Sequence, residues 1–253
     1  MVSCALGQLG DVIIWISGRR AAKATNGTMA LIAPSLFAAD FAALGKALDT
    51  ATSAGARMVH LDVCDGHFAP GITAGQPVVR SIRQATDLEL TVHLLIERPE
   101  RYAEEFVKAG ADAVAVHPES TTNLHHTLGI IKALGAKAGV ALNPCTPWSA
   151  VSKAFDQFDF VLVLTADPGV QGSEFDRLAA DTVEEVARDR GVRRGNFAIH
   201  VEGGLTTDRV TSLIRVGADI LVVGSAIFDN EDPMARMKEW IRAAGMTAPE
   251  VKT

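Results

Sequence analysis

His60 and Asp62 stand two residues apart in Val59-His-Leu-Asp-Val63, His93 falls near the end of Leu90-Thr-Val-His-Leu94, and Glu202 falls in Ile199-His-Val-Glu-Gly-Gly204. Imidazoles and carboxylates are the groups that ligate divalent metals and move protons. Each of these sits toward the end of an apolar run that reads as a buried β-strand, where an ionisable group is unfavourable unless it is paired or metal-bound. Brought together, the four form a site of two imidazoles and two carboxylates. Such mixed N/O ligation suits one divalent ion, whether zinc, iron, manganese or cobalt. Taken singly, His93 reads better as a satisfied core histidine, and a lone Asp62 could cap the loop that follows. Four such groups at the ends of three strands favour the metal site.

A second set of residues has the character of an anion site. Asp167-Pro-Gly-Val-Gln-Gly-Ser173, Gly203-Gly204 and Gly224-Ser225 each follow an apolar run, the last just before a short helical stretch. Glycine lets backbone N–H groups approach an anion closely, and helix N-termini favour negative charge. Tight turns alone would also use glycine, but pairs at two successive strand ends point to phosphate.

The elements that must position these groups form a regular alternation. Strands are predicted at 31–35, 57–63, 89–94, 113–117, 137–142, 159–165, 197–202 and 220–224. Helical patterns fall near 40–54, 76–85, 99–109, 123–134, 147–155, 175–190 and 206–216, closed by 232–244. Runs apolar at successive positions are buried on both faces, as parallel strands are. Eight βα units describe a (β/α)8 TIM barrel, and the about 225 residues from Met29 onward fit its usual size. An open doubly wound sheet is the alternative, weakened by the absence of a Gly-x-Gly-x-x-Gly fingerprint after the first strand. In a barrel, His60 and Asp62 share a face by strand periodicity and point inward near the mouth, where working residues gather. Ala54-Gly-Ala56, Ala109-Gly-Ala-Asp112 and Val216-Gly-Ala-Asp219 read as structural punctuation at helix ends.

The chain of 253 residues is long enough for one large domain and holds no apolar stretch near the roughly 20 residues of a membrane helix. A net charge of -6 argues against nucleic acid as a partner, so an anionic substrate needs local positive potential. Cys4, Cys64 and Cys145 are odd in number and scattered, which fits a reducing cytoplasm rather than a disulfide framework. Residues 1–28 lie outside the repeating pattern and read as a mobile N-terminal extension, with an extra helix or strand packed on the barrel as the alternative. Residues 29–253 form the single barrel domain.

Ala33-Pro-Ser-Leu-Phe-Ala-Ala-Asp40, His60-Leu-Asp-Val-Cys-Asp-Gly-His-Phe-Ala-Pro70, Val92-His-Leu94, Leu142-Asn-Pro-Cys-Thr-Pro147, Val201-Glu-Gly-Gly204 and Val223-Gly-Ser-Ala-Ile-Phe228 resemble, in order, segments of the ribulose-phosphate 3-epimerase family. The resemblance implies a barrel of the ribulose-phosphate-binding type and a homo-oligomer. It also implies interconversion of the phosphorylated ketoses D-ribulose 5-phosphate and D-xylulose 5-phosphate. By the same resemblance Ser35 contacts substrate, and His60, Asp62, His93 and Glu202 hold the metal. Asp62 and Glu202 are the two acid/base carboxylates. Gly169, Gly172, Gly203, Gly204, Gly224 and Ser225 surround the substrate, the last four holding its phosphate. Three departures stand out. Glu202 occupies a position where the family has aspartate, Cys64, Leu95 and Leu164 stand where it usually has methionines, and the loop at 167–173 is altered. These keep two alternatives in view: an epimerase of another ketose phosphate (a hexulose 6-phosphate or tetrulose 4-phosphate), or a weakened barrel that binds sugar phosphates without turnover.

Overall fold

The computed structural model of the chain describes residues 12–16, 19–24, 29–170 and 173–245. Strands β1 (Val12–Ile16) and β2 (Arg19–Ala24) pair antiparallel as a separate ribbon. They fall within the expected mobile extension, the rest of which lies outside the described residues.

Eight parallel strands follow: β3 (Leu31–Pro34), β4 (Met58–Cys64), β5 (Glu89–Leu95), β6 (Ala113–Val116), β7 (Lys137–Leu142), β8 (Phe160–Leu164), β9 (Ala198–Glu202) and β10 (Ile220–Val223). Their order is β3-β10-β9-β8-β7-β6-β5-β4, and a parallel bridge between Ser35 and His60 joins the two ends into a barrel. The continuous apolar runs form these strands because both faces are covered. One set of side chains, including Val59, Leu61, Val92, Val114, Val161 and Ile199, packs outward against the helices. The alternate set, including Leu31, Met58, Ala115, Phe160, Leu162 and Ile220, fills the barrel interior. Gly139 makes room for the Phe160 ring, which a Cβ there would meet at 2.2 Å. That ring stacks on buried His200 with centroids 4.5 Å apart.

The helices are α1 (Leu44–Ala54), α2 (Gln76–Ala85), α3 (Ala103–Lys108), α4 (Leu124–Ala133), α5 (Arg177–Arg193), α6 (Val210–Val216), the single turn α7 (Ser225–Phe228) and α8 (Pro233–Ala243). The helix predicted at 147–155 is instead two 3₁₀ turns, Trp148–Ala150 and Ser152–Ala154. Its buried residues, Trp148 and Val151, are three apart, and Ala150, Val151 and Ala154 each bond back three residues, which is 3₁₀ spacing. Among the described residues, no helix is long and apolar enough to cross a membrane.

Three aspartates lock the barrel base by one device. Each stands immediately before a strand, accepts the backbone N–H of a residue near the start of the preceding strand, and pairs with a cation from the helix that leads into that preceding strand. Asp112 takes Leu90 N at 2.8 Å and Arg83 at 2.9 Å. Asp159 takes Ala138 N at 2.9 Å and Lys132 at 3.3 Å. Asp219 takes Ile199 N at 2.8 Å together with Arg190. At these three positions the base is therefore tied together by a cation and a backbone N–H on each carboxylate.

Candidate metal and phosphate site at the barrel mouth

The strand register brings the predicted ligands together. Asp62 on β4 lies opposite His93 on β5, and Glu202 on β9 lies opposite Leu164 on β8. His60, one inward position below Asp62, projects into the same interior. His60 Nε2 is 3.2 Å from Asp62 Oδ1 and 3.4 Å from Glu202 Oε2. His93 Nδ1 is 2.9 Å from Asp62 Oδ1 and 3.7 Å from Glu202 Oε2. One donor atom from each of the four residues lies within 4.8 Å of the others. Ligands held about 2.0–2.2 Å from a single ion stand roughly 3–4 Å apart, so the cluster has the dimensions of a divalent site. The donor set fits as well. Glu202 Oε2 is buried without a hydrogen-bond partner among the described residues and is approached only by the His60 and His93 rings at 3.4 and 3.7 Å, which leaves it free to ligate.

The charges in this cluster hold one another. Burial opposes a charge on His93, but Asp62 and Glu202 outweigh it and push its pKa up to about 9. The same balance of burial against Glu202 and Asp62 raises His60. Burial would raise Asp62, yet the neighbouring imidazoles of His60 and His93 hold it far below the usual carboxylate range. An ion binding here would take over the role of those imidazolium charges. Beneath the cluster, burial together with the charges of His60 and Lys137 depresses His200 strongly, leaving it a neutral ring in the packed interior.

A cleft opens above the cluster, and most of the predicted substrate residues line it: Ser35, His93, Gly169, Gly203, Gly204, Gly224 and Ser225. Gly172 lies outside the described residues. Ser35 Oγ donates to Asp62 Oδ2 at 3.1 Å, fixing the carboxylate from the substrate side. Gly203 and Gly204 have φ of +114° and +56°. A Cβ on Gly203 would fall 2.6 Å from Ala166 N, and one on Gly204 2.5 Å from Phe175 N. Only glycine can turn the chain there, so the pair is required by the loop geometry itself. Thr165 secures the turn, its hydroxyl placed 2.9 Å from the Glu202 carbonyl and 2.6 Å from that of Gly203. Among the described residues no lysine or arginine lines the cleft, so an anion there would rest on backbone N–H groups and the Ser225 end of α7. Leu95 and Leu164 form apolar wall beside the carboxylates, and Cys64 packs with Leu95 and Ala69 behind it.

Two contributors were not singled out from sequence. Asp65 Oδ1 accepts from His67 N at 2.8 Å and Phe68 N at 2.9 Å, and its Oδ2 accepts from Glu97 N at 2.8 Å, tying the loop after β4 to the loop after β5. His117, immediately after β6, is fully buried against His93. Its signal was the one that exposed His93, an imidazole at the end of an apolar run.

Residues 31–228 match the sequence profile described as the ribulose-phosphate 3 epimerase family. The chain is 42% identical over 214 residues to the ribulose-phosphate 3-epimerase of Bacillus subtilis (strain 168), covering 83% of this chain and 98% of that protein. It is 43% identical over 204 residues to the chloroplastic ribulose-5-phosphate-3-epimerase of Arabidopsis thaliana, covering 80% and 73% respectively. Among solved structures, that of KGPDC from Streptococcus mutans superposes with a TM-score of 0.65 at 13% identity over 86% of this chain and 98% of that one. At that identity the likeness concerns the barrel alone.

Proposed function

Because the chain belongs to the ribulose-phosphate 3-epimerase family, we propose that it inverts C3 of a ketose phosphate, with D-ribulose 5-phosphate as first choice. The observation that carries this reading is the convergence of His60, Asp62, His93 and Glu202 beneath a glycine-lined cleft. His60, Asp62, His93 and Glu202 would hold one divalent ion, with zinc, iron, manganese and cobalt all compatible with the donors. When bound, that ion polarises the ketose oxygens and so makes the C3 hydrogen more acidic.

The side chains of this protein supply the proton transfers. Asp62 and Glu202 stand three strands apart around the barrel, since β4 meets β3, then β10, then β9. Their carboxylates therefore approach a substrate in the cleft from different sides. One removes the C3 proton, and the other returns a proton to the opposite face of the planar intermediate. Ser35 keeps Asp62 oriented through its 3.1 Å hydrogen bond. The phosphate rests on the backbone of Gly203, Gly204, Gly224 and Ser225, with Gly169 in the loop beside it, which fixes C3 relative to both carboxylates. A homo-oligomer in the cytoplasm completes the reading. The family resemblance supports the first, and the free cysteines Cys64 and Cys145 fit a reducing compartment.

A second reading, an epimerase of another ketose phosphate, is favoured by Glu202, whose extra methylene moves the proton donor relative to an aspartate. The test is kcat/KM of metal-loaded protein toward ribulose 5-phosphate, a hexulose 6-phosphate and a tetrulose 4-phosphate, for wild type and Glu202→Asp. If ribulose 5-phosphate is the substrate to which Glu202 is adapted, it turns over fastest and Glu202→Asp slows it by about 10-fold or more. A gain toward ribulose 5-phosphate in Glu202→Asp would instead identify a weakened or redirected enzyme. Turnover of none of the three would overturn the epimerase reading.

A further inference from the structure

One hydrogen bond and one longer charge contact lead outward from the ligand cluster through residues that the chemistry above does not use. His93 Nε2 lies 2.8 Å from His117 Nε2, and His117 Nδ1 faces Glu119 Oε2 at 3.7 Å. Glu119 is itself anchored, because Asn143 Nδ2 donates to its Oε1 at 3.3 Å and the Thr146 hydroxyl donates to the same atom. Phe68, on the loop pinned by Asp65, packs its ring 4.8 Å from that of His117 and walls it in.

The direction of the hydrogens along this path is constrained. Two ring nitrogens 2.8 Å apart are bonded only if one of them carries a hydrogen and the other a lone pair. A His93 that offers its Nδ1 lone pair to an ion carries its hydrogen on Nε2, so His117 Nε2 must be the acceptor. The hydrogen of His117 then lies on Nδ1, toward the Glu119 carboxylate. Each assignment follows from the one before it, and the sequence ends on a carboxylate held by two further donors. The other imidazole in the cluster has no counterpart to the His93–His117 bond: His60 Nδ1 is buried without a hydrogen-bond partner among the described residues, and His117 Nδ1 likewise makes no hydrogen bond and meets Glu119 only at 3.7 Å.

Resting on the metal reading given above, we propose that His117, backed by Glu119, is a positioning residue. It accepts the His93 Nε2 hydrogen, and so fixes the tautomer and ring orientation that aim His93 Nδ1 at the ion. Partners of this kind, behind a metal-ligating histidine, typically change metal affinity by about 10–100-fold.

Manganese(II) is the probe, with its dissociation constant measured for the full chain by titration and the melting temperature measured separately in chelator. His117→Phe keeps a ring of similar shape but removes the acceptor. It should weaken Mn2+ binding by about 10–100-fold, while the metal-free melting temperature stays near that of wild type. His117→Gln places an amide oxygen near the position of Nε2 and should restore binding to within about 3-fold of wild type. Wild-type affinity in His117→Phe, or equal weakening in His117→Gln, would overturn the role. A wild type that binds no Mn2+ would overturn the metal reading itself, which separates the two failures. Should His117→Phe fail to fold, imidazole 15N spectra of the unmutated, zinc-loaded protein decide. His117 is expected as the Nδ1–H tautomer, with the lone pair of its Nε2 toward His93, and a His117 that carries its hydrogen on Nε2 would refute the proposal.

Discussion

The two ends of this barrel both hold carboxylates at strand ends, but they treat them in opposite ways. At the base, Asp112, Asp159 and Asp219 each meet a backbone N–H and a cation. At the mouth, Asp62 and Glu202 meet two imidazoles and no lysine or arginine, and a carboxylate oxygen of Glu202 remains without a hydrogen bond among the described residues. A charge pair saturated by its own neighbours has nothing left to offer a ligand, and removing one partner strands the other. A cluster held rigidly yet left short of partners is stable only because the surrounding fold enforces it. That contrast separates the aspartates that build the barrel from the one that works in it.

Substitution at each end should break the comparison in different observables. The largest effect is expected at the mouth. Asp62→Asn keeps the shape and one acceptor but abolishes proton transfer, so kcat/KM should fall by about 100–10,000-fold. His60 and His93 can shed their protons once that charge is gone, so metal-free stability should fall by only about 1–3 kcal/mol. Retention of more than a tenth of the activity would remove Asp62 from the acid/base pair. At the base the pattern reverses. Asp219→Ala leaves the mostly buried Arg190 without its partner and should lower stability by about 3–5 kcal/mol, read as a fall of roughly 6–20 °C in melting temperature. The kcat of the fraction that remains folded should be unchanged. A stable Asp219→Ala protein would show that the base aspartates are not the clamps described here.

The smallest of these effects concerns the ion alone. Metal held at about 100 times its dissociation constant adds roughly 2.7 kcal/mol of stability. Chelation should therefore lower the melting temperature of wild type by about 5–11 °C and leave Asp62→Asn nearly unmoved. An equal shift in both proteins would mean that chelation acts somewhere other than the mouth.

Much of this was legible in the residues. Strands buried on both faces must be apolar at every position, so β3 through β10 were visible as unbroken runs, and His60, Asp62, His93 and Glu202 stood out within them. The Gly203-Gly204 turn was visible for the same reason, since no other residue type fits its backbone. The segment 147–155 misled because Trp148 and Val151 three apart suit either an α-helix or a 3₁₀ turn. His117 was less legible. It sits one residue beyond β6, and only the barrel register, which sets His93 against Ala115, brings two histidines 24 residues apart within bonding distance. The shared role of the base aspartates was hidden likewise, because Asp159 lacks the Gly-Ala-Asp context of Asp112 and Asp219.

The central claim is that Asp62 and Glu202 exchange the C3 proton from different sides of the substrate. Deuterium at C3, followed by mass spectrometry or NMR early in the turnover of ribulose 5-phosphate by metal-loaded protein in D2O, tests it most directly. The account predicts one solvent deuterium at C3 in each xylulose 5-phosphate formed, while recovered ribulose 5-phosphate remains unlabelled. Product formed without C3 deuterium, or label appearing in the substrate as fast as in the product, would contradict inversion by two separate carboxylates.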